Sequence, residues 1–269
     1  MRGGRTAGWM VGIAALGTAH AAAQAAPDPL ARAAARGTAL SRYDRAAWVA
    51  SDALAAKLPR KQWKDLGGWI VSPAGDRLRV DFFGAGALAG RSLFSVEVDA
   101  RGKLASAEVY PADAAPALSP LAARMAAALL AARAELPRHP DWRPCTPSPF
   151  NTVVLPPGDD GIVAVYFLSA QTERGKIPFG GHYTIDVRAD GTIAGARAFA
   201  KACLTADASA AGPGGAQPAA LTIGHLLDPQ PTEVHVLQQL ALGIPLIVAT
   251  GSGALWRVEG GRIARLPGK

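Results

Sequence analysis

Two blocks of short alternating segments limit what this chain can fold into. Gly68 to Ser72, Arg77 to Phe83, Ser92 to Asp99 and Lys103 to Tyr110 each alternate apolar and polar residues. Pro73-Ala74-Gly75-Asp76, the glycines Gly84, Gly86 and Gly90, and Ala100-Arg101-Gly102 separate them. A period of two, broken by turn residues, predicts an antiparallel meander with one solvated face. The second block repeats the pattern at Thr152 to Leu155, Ile162 to Ser169, His182 to Arg188 and Ile193 to Ala200, with turns at Asp159-Asp160-Gly161 and Ala189-Asp190-Gly191.

Helical spacing appears between and around these blocks. Tyr43, Ala47, Ala50, Leu54 and Leu58 predict a helix over 41–58, with Ser41 and Asp44 read as a capping box and Pro59 as the stop. Ser119 as N-cap and Pro120 at the first helical position open a second helix, with a stripe at Leu121, Met125, Leu129, Ala132 and Leu136. Thr232 caps a third, which Gly243 and Pro245 end. Leu221 to Leu227 is an apolar run. Leu246 to Thr250 reads as a buried strand, Gly251-Ser252-Gly253 as a turn, and Leu255 to Val258 as the return. The small, basic stretch 26–36 reads as a loose terminus, and 206–218 as a flexible loop. The expected class is α+β, antiparallel sheets with packed helices in two units. An N-terminal α+β unit covers 26–138, a proline-rich linker 139–149 and a C-terminal α+β unit 150–269.

Residues 1–25 read as a signal peptide. Arg2 and Arg5 give a positive start, Trp9 to Ala19 an apolar run too short for a bilayer span, and Ala23-Gln24-Ala25 a cleavage motif. Removing them takes the formal charge from +7 to +5, since Arg2 and Arg5 leave. The expected location is periplasmic or secreted. The basic balance suits an anionic envelope surface. No run of Lys and Arg interleaved with aromatics points to nucleic acid, and no later stretch reads as a transmembrane span. In an exported chain the lone pair Cys145 and Cys203 is most simply a disulfide. The alternative, two free thiols, lacks a Cys-x-x-Cys or any nearby metal spacing.

The candidate ligand-binding residues lie in the C-terminal unit: His182, His225 and His235, with Glu173 and Glu233. Histidine ligates metals and moves protons near neutral pH, and Gly180-Gly181 before His182 lets backbone or ligand approach closely. Their spacing matches no His-x-His or His-Glu-x-x-His motif. There is no nucleophile elbow, phosphate loop or dinucleotide fingerprint. Asp81 and Asp186 are expected on solvated faces, and Trp48, Trp63, Trp69, Trp142 and Trp256 in the core or at its rim rather than in a stacking platform.

Gly224-His225-Leu226-Leu227-Asp228-Pro229, then Pro231-Thr232-Glu233-Val234-His235, then the strand from Leu246 and its hairpin, resembles the core of JAB/MPN-type proteins. The resemblance covers about forty residues. It implies a zinc pocket of two histidines and an aspartate with an upstream glutamate. His225 matches the first histidine, the second falls on Leu227, the aspartate on His235, and Glu173 is the candidate glutamate. The implied pocket is degenerate, with His225 and His235 as the metal candidates. The mature chain also resembles uncharacterised exported proteins of proteobacteria. The leading expectation is a non-catalytic binding protein for a partner protein or small ligand, without cofactor. The alternatives are a metal-dependent hydrolase using zinc at those residues, and an envelope structural protein.

Overall fold

The computed structural model describes residues 1, 4, 28–207 and 218–268. The expected leader lies outside the described residues, as does most of the expected loop before β11. Helix α1 spans Pro29–Lys57. The first meander follows as β1 (Leu66–Ala74), β2 (Arg77–Gly84), β3 (Ser92–Val98) and β4 (Leu104–Val109). Helix α2 is Pro120–Glu135. Next come β5 (Asn151–Val154), β6 (Val163–Leu168), β7 (Lys176–Pro178), β8 (Tyr183–Val187), β9 (Ile193–Ala198) and β10 (Thr205–Asp207). The chain closes with β11 (Leu221–His225), α3 (Glu233–Leu242), β12 (Leu246–Thr250), β13 (Leu255–Glu259) and β14 (Arg262–Arg265). Both blocks are antiparallel, in the orders β1-β2-β3-β4 and β5-β6-β8-β9. The fold is α+β, as the alternation requires.

Three departures have physical causes. The stretch expected to be loose is helical. Asp28 caps it by accepting the Leu30 amide, Pro29 stands at the first helical position, and alanine, the best helix former, fills the first turns. Ser41 and Asp44 therefore lie in mid-helix and cap nothing. Second, β7 and β10 pair as a two-stranded ribbon, so Ala206 and Asp207 are strand where a loop was expected. Three-residue strands carry too little alternation to register in sequence. Third, the apolar run at Leu221 pairs parallel with β12, through α3 as the crossover, and β14 adds a fourth strand.

One buried cluster runs from Leu40 and Tyr43 of α1 through Val80 and Phe94 of the first sheet and Met125 and Leu129 of α2 to Val165, Tyr166 and Ile185 of the second. Helix α2 touches β1 on one side and β6 and β8 on the other, so both meanders share this core. A second cluster sits under the C-terminal sheet, where Val236, Leu246, Val248 and Val258 meet Ile177 and Phe179. The segment 139–149 is docked rather than free. Trp142 stacks on His139 at 4.1 Å and on Tyr183 at 4.4 Å. Cys145 and Cys203 are joined as a disulfide, Cα to Cα 5.4 Å.

Helices α1 and α3 cross at Gly37. A Cβ there would stand 2.4 Å from the Val236 Cβ and 2.5 Å from the Glu233 carbonyl oxygen. Gly37→Ala gains helix propensity of about 1 kcal/mol. The backbone of α3 cannot yield cheaply, however, and overpacking costs about 1–3 kcal/mol, so the net is a loss of up to about 2 kcal/mol that urea unfolding reads directly. Reducing the disulfide frees a loop spanning 58 positions. On chain-entropy grounds this costs about 4 kcal/mol, visible as a lower unfolding midpoint in dithiothreitol.

Candidate functional site

The structure brings three of the five candidate residues together. His182, His225 and His235 line one small cavity of about 30 Å³ with Phe179, Phe199 and Gln238. The rings of His225 and His235 meet edge to face, centroids 4.5 Å apart. Each imidazole has a structural task. His182 Nδ1 accepts the Ser169 amide at 3.2 Å, and its Nε2 donates to the Pro178 carbonyl at 3.0 Å. His235 Nδ1 accepts the Thr232 amide at 3.0 Å, the part that Glu or Gln plays in a capping box. His225 Nε2 lies 2.8 Å from Asp228 Oδ2, which also takes Arg197 Nη2 at 2.6 Å, so β11 is tied to β9.

These bonds fix the tautomers. An amide N–H can only donate, so Nδ1 of both His182 and His235 is an acceptor and the proton of each neutral ring sits on Nε2. A metal needs the lone pair that this proton occupies. Among the described residues no three His, Cys, Asp or Glu side chains are placed to hold a metal ion together. The donor set that zinc requires is not made by His225 and His235.

The two glutamates lie elsewhere. Glu173 is exposed and paired with Lys176. Glu233, in the first turn of α3, accepts the Tyr166 hydroxyl at 2.8 Å, while Arg36 Nε donates to that hydroxyl at 3.0 Å. Burial, then the Glu233 carboxylate, hold the Tyr166 hydroxyl well above its ordinary range. This is a cross-brace between α1, β6 and α3. Close approach at Gly180-Gly181 is confirmed, but backbone does the approaching. A Cβ on Gly180 would stand 2.2 Å from the Ala202 carbonyl oxygen, and one on Gly181 would be 2.7 Å from the Cys145 amide. Asp81 is a correction: it is 3% exposed, bonded to Ser92 Oγ at 2.7 Å and to Arg79 at 3.0 Å. The strand it sits on is covered on both faces, by α1 and by its own hydrogen-bonded polar pocket, which alternation does not reveal.

The larger concavity lies on the other side of His182. A cleft of about 420 Å³ opens between α1 and α3, above the ends of β5 and β6. Asp44, Trp48 and Asp52 of α1 form one wall, Leu237, Gln238 and Ala241 of α3 the other, and Asn151, Ser169 and Gln171 the floor. Its volume falls within the range of small-molecule sites. Trp48 is 50% exposed, at the rim rather than in the core. Asp44 stands on the seam Ala33, Gly37, Leu40, Asp44, Ala47, at the alternating four- and three-residue spacing of a buried helix face. Its carboxyl is hydrogen-bonded by Asn151, and burial pushes it up to about 6. An acid interrupting an apolar seam is the sequence signal for this cleft. Reading Asp44 as a cap concealed it.

Protein-family models, curated proteins and solved structures contain no match to the chain.

Stability should respond to acid with a calculable sign. Burial, opposed by the Pro178 bond, holds the His182 imidazole down to about 4. Burial and then His225 hold His235 down to about 3. Unfolded histidine titrates at about 6.5. Below that pH the unfolded chain takes two protons that the folded chain refuses, so stability is complete above about pH 6.5 and falls toward pH 3. Asp44 acts oppositely. Its folded carboxyl holds a proton that the unfolded one releases, so its contribution to folding weakens as pH rises from about 4 to about 6. Two histidines outweigh one carboxyl, and the urea midpoint should fall on acidification. Asp44→Asn should steepen that fall and raise stability at pH 7 by on the order of 2 kcal/mol.

Proposed function

We propose that the protein is a non-catalytic binding protein, exported to the periplasm or beyond, whose small ligand occupies the cleft between α1 and α3. The cleft itself carries this reading. It combines an open cleft of small-molecule volume, an exposed indole on one wall and polar side chains at its floor, the make-up of a ligand pocket. The carboxyl of Asp44, pushed up by burial, marks it further, since perturbed groups gather at functional sites.

The structural bonding of the histidines supports binding over catalysis. His182 and His235 are tied to backbone amides and a carbonyl, and His225 is held by the Asp228 carboxylate that also binds Arg197. Export is supported by the leader-like first residues and by the disulfide, which persists where thiols are oxidised. Among the described residues no helix is long and apolar enough to cross a membrane.

A thermal-shift screen tests this reading. A chemically broad panel of small metabolites is run against the protein and against Ala241→Trp, which fills the cleft from an exposed position on α3. A ligand at a hundred times its Kd stabilises by about 2.7 kcal/mol. At least one compound should raise Tm by several degrees in the protein and not in the variant. A panel without hits, or hits that shift both proteins equally, would remove the proposal.

A further inference from the structure

The α1 wall of the cleft is ordered. Asp44, Trp48 and Asp52 recur every four residues, so they stack along one face of the helix. Eight residues at about 1.5 Å rise set the two acids about 12 Å apart along the axis, with the indole between them. All three line the cleft. Among the described residues neither carboxylate has a cationic partner. Asp44 is hydrogen-bonded by the neutral amide of Asn151, and Asp52 has no hydrogen bond or ion pair. The Trp48 indole stacks on no ring and no cation there, while four other aromatics in the chain each carry an arginine. Arg45 shares this wall, but its side chain lies over the β3–β4 turn. Its Nε is 2.7 Å from where a Cβ on Gly102 would stand. In a chain of formal charge +7, a part-buried acid and an exposed one flanking a bare indole along the wall of an open cleft, neither acid with a cationic partner, are a feature the fold itself does not use.

We propose that the cleft takes a linear aliphatic polyamine, its end ammonium groups on Asp44 and Asp52 and its carbon chain along Trp48. This rests on the reading of the cleft as a ligand site and names the class of ligand. Charge-assisted hydrogen bonds to carboxylates recognise the ammonium ends. The face of an indole attracts both the methylenes and any inner ammonium group. Length selects among amines. Nine bonds separate the terminal nitrogens of spermidine, roughly 11 Å when extended, from standard bond lengths, which matches the spacing of the acids. Putrescine, with five, spans about half of it and reaches one carboxylate at a time.

Calorimetric titration and Trp48 emission test the proposal on the full-length protein at neutral pH and physiological salt. The probes are spermidine, putrescine and 1,8-octanediol, a neutral chain with the same number of bonds as spermidine. Spermidine should bind one to one, change the emission, and outbind putrescine by about tenfold or more, while the diol should not bind. Asp44→Asn and Asp52→Asn should each weaken spermidine by about tenfold, and Trp48→Ala by about fivefold. Asp44→Asn is expected to be the more stable protein, so its loss of affinity cannot be ascribed to unfolding. Thermal melts establish the same for the other two variants, and Trp48→Phe, which keeps an aromatic face, should recover part of the affinity.

No saturable binding at millimolar spermidine would overturn the polyamine assignment, as would binding indifferent to both Asp substitutions. If another compound then stabilises the protein but not Ala241→Trp, the cleft still binds a ligand and only its class was misread. If spermidine binds Ala241→Trp undiminished, the polyamine is held elsewhere and the assignment to this cleft fails.

Discussion

The architecture depends on how closely α1 approaches α3. Gly37 brings the helices together where any side chain would strike Val236 or the Glu233 carbonyl. Beside it, Arg36 and Glu233 both bind the buried Tyr166 hydroxyl, which joins the helices to β6. A buried polar group is tolerated only when its hydrogen bonds are complete, and Tyr166 both accepts and donates here. With the crossing fixed at Gly37, the helices stand apart further along α1, and the cleft is the space left between them. A hydrophobic seam and a cleft wall thus occupy the same helix, changing over at Asp44.

The histidines show how a chemically suggestive cluster can be structural. They meet in one place, as a shared site requires, yet two of them spend their acceptor nitrogen on a backbone amide. The third works through Asp228. Burial would raise that carboxyl, but hydrogen bonds from Arg197 and His225 carry it below its usual range. Kept neutral by burial, His182 and His235 satisfy buried backbone groups that regular structure leaves unpaired, while His225 binds the Asp228 carboxylate. They hold the ends of β6, β8, β11 and α3 in register, and His182 and Gln238 also form the boundary between this cluster and the cleft.

Much of the fold was legible because its elements are long enough to carry a period. Both meanders, α2, α3 with its Thr232 cap and Gly243 stop, and the hairpin after Leu246 stand where alternation and capping place them. The failures share a cause: the decisive residues were small or locally ambiguous. Alanine and glycine at the start of α1 look like slack until α3 is laid against them. The ribbon of β7 and β10 is too short to show a pattern. The candidate site was legible only in part. The three histidines were visible as candidates, but their partners, although only 3 to 13 positions away, are backbone amides and carbonyls and one carboxylate whose need for a bond shows only once the chain is folded. Asp44 was visible as a residue and misassigned as a cap, because only the true start at Pro29 reveals that it interrupts a seam.

The crossing at Gly37 also has a cost in time. The meanders close through neighbouring hairpins, whereas Gly37 and Val236 stand on opposite sides of both. Contacts between such distant residues bring their reward only after a long loop has been closed. Local sheets are expected to precede the meeting of α1 with α3 on the folding route. A chain that emerges amino end first exposes α1 well before its partner helix exists, and its alanine-rich face must wait without collapsing elsewhere. A face of small residues with an acid at its centre offers little to a wrong neighbour, so the sequence that shapes the cleft also suits the interval before the helices meet.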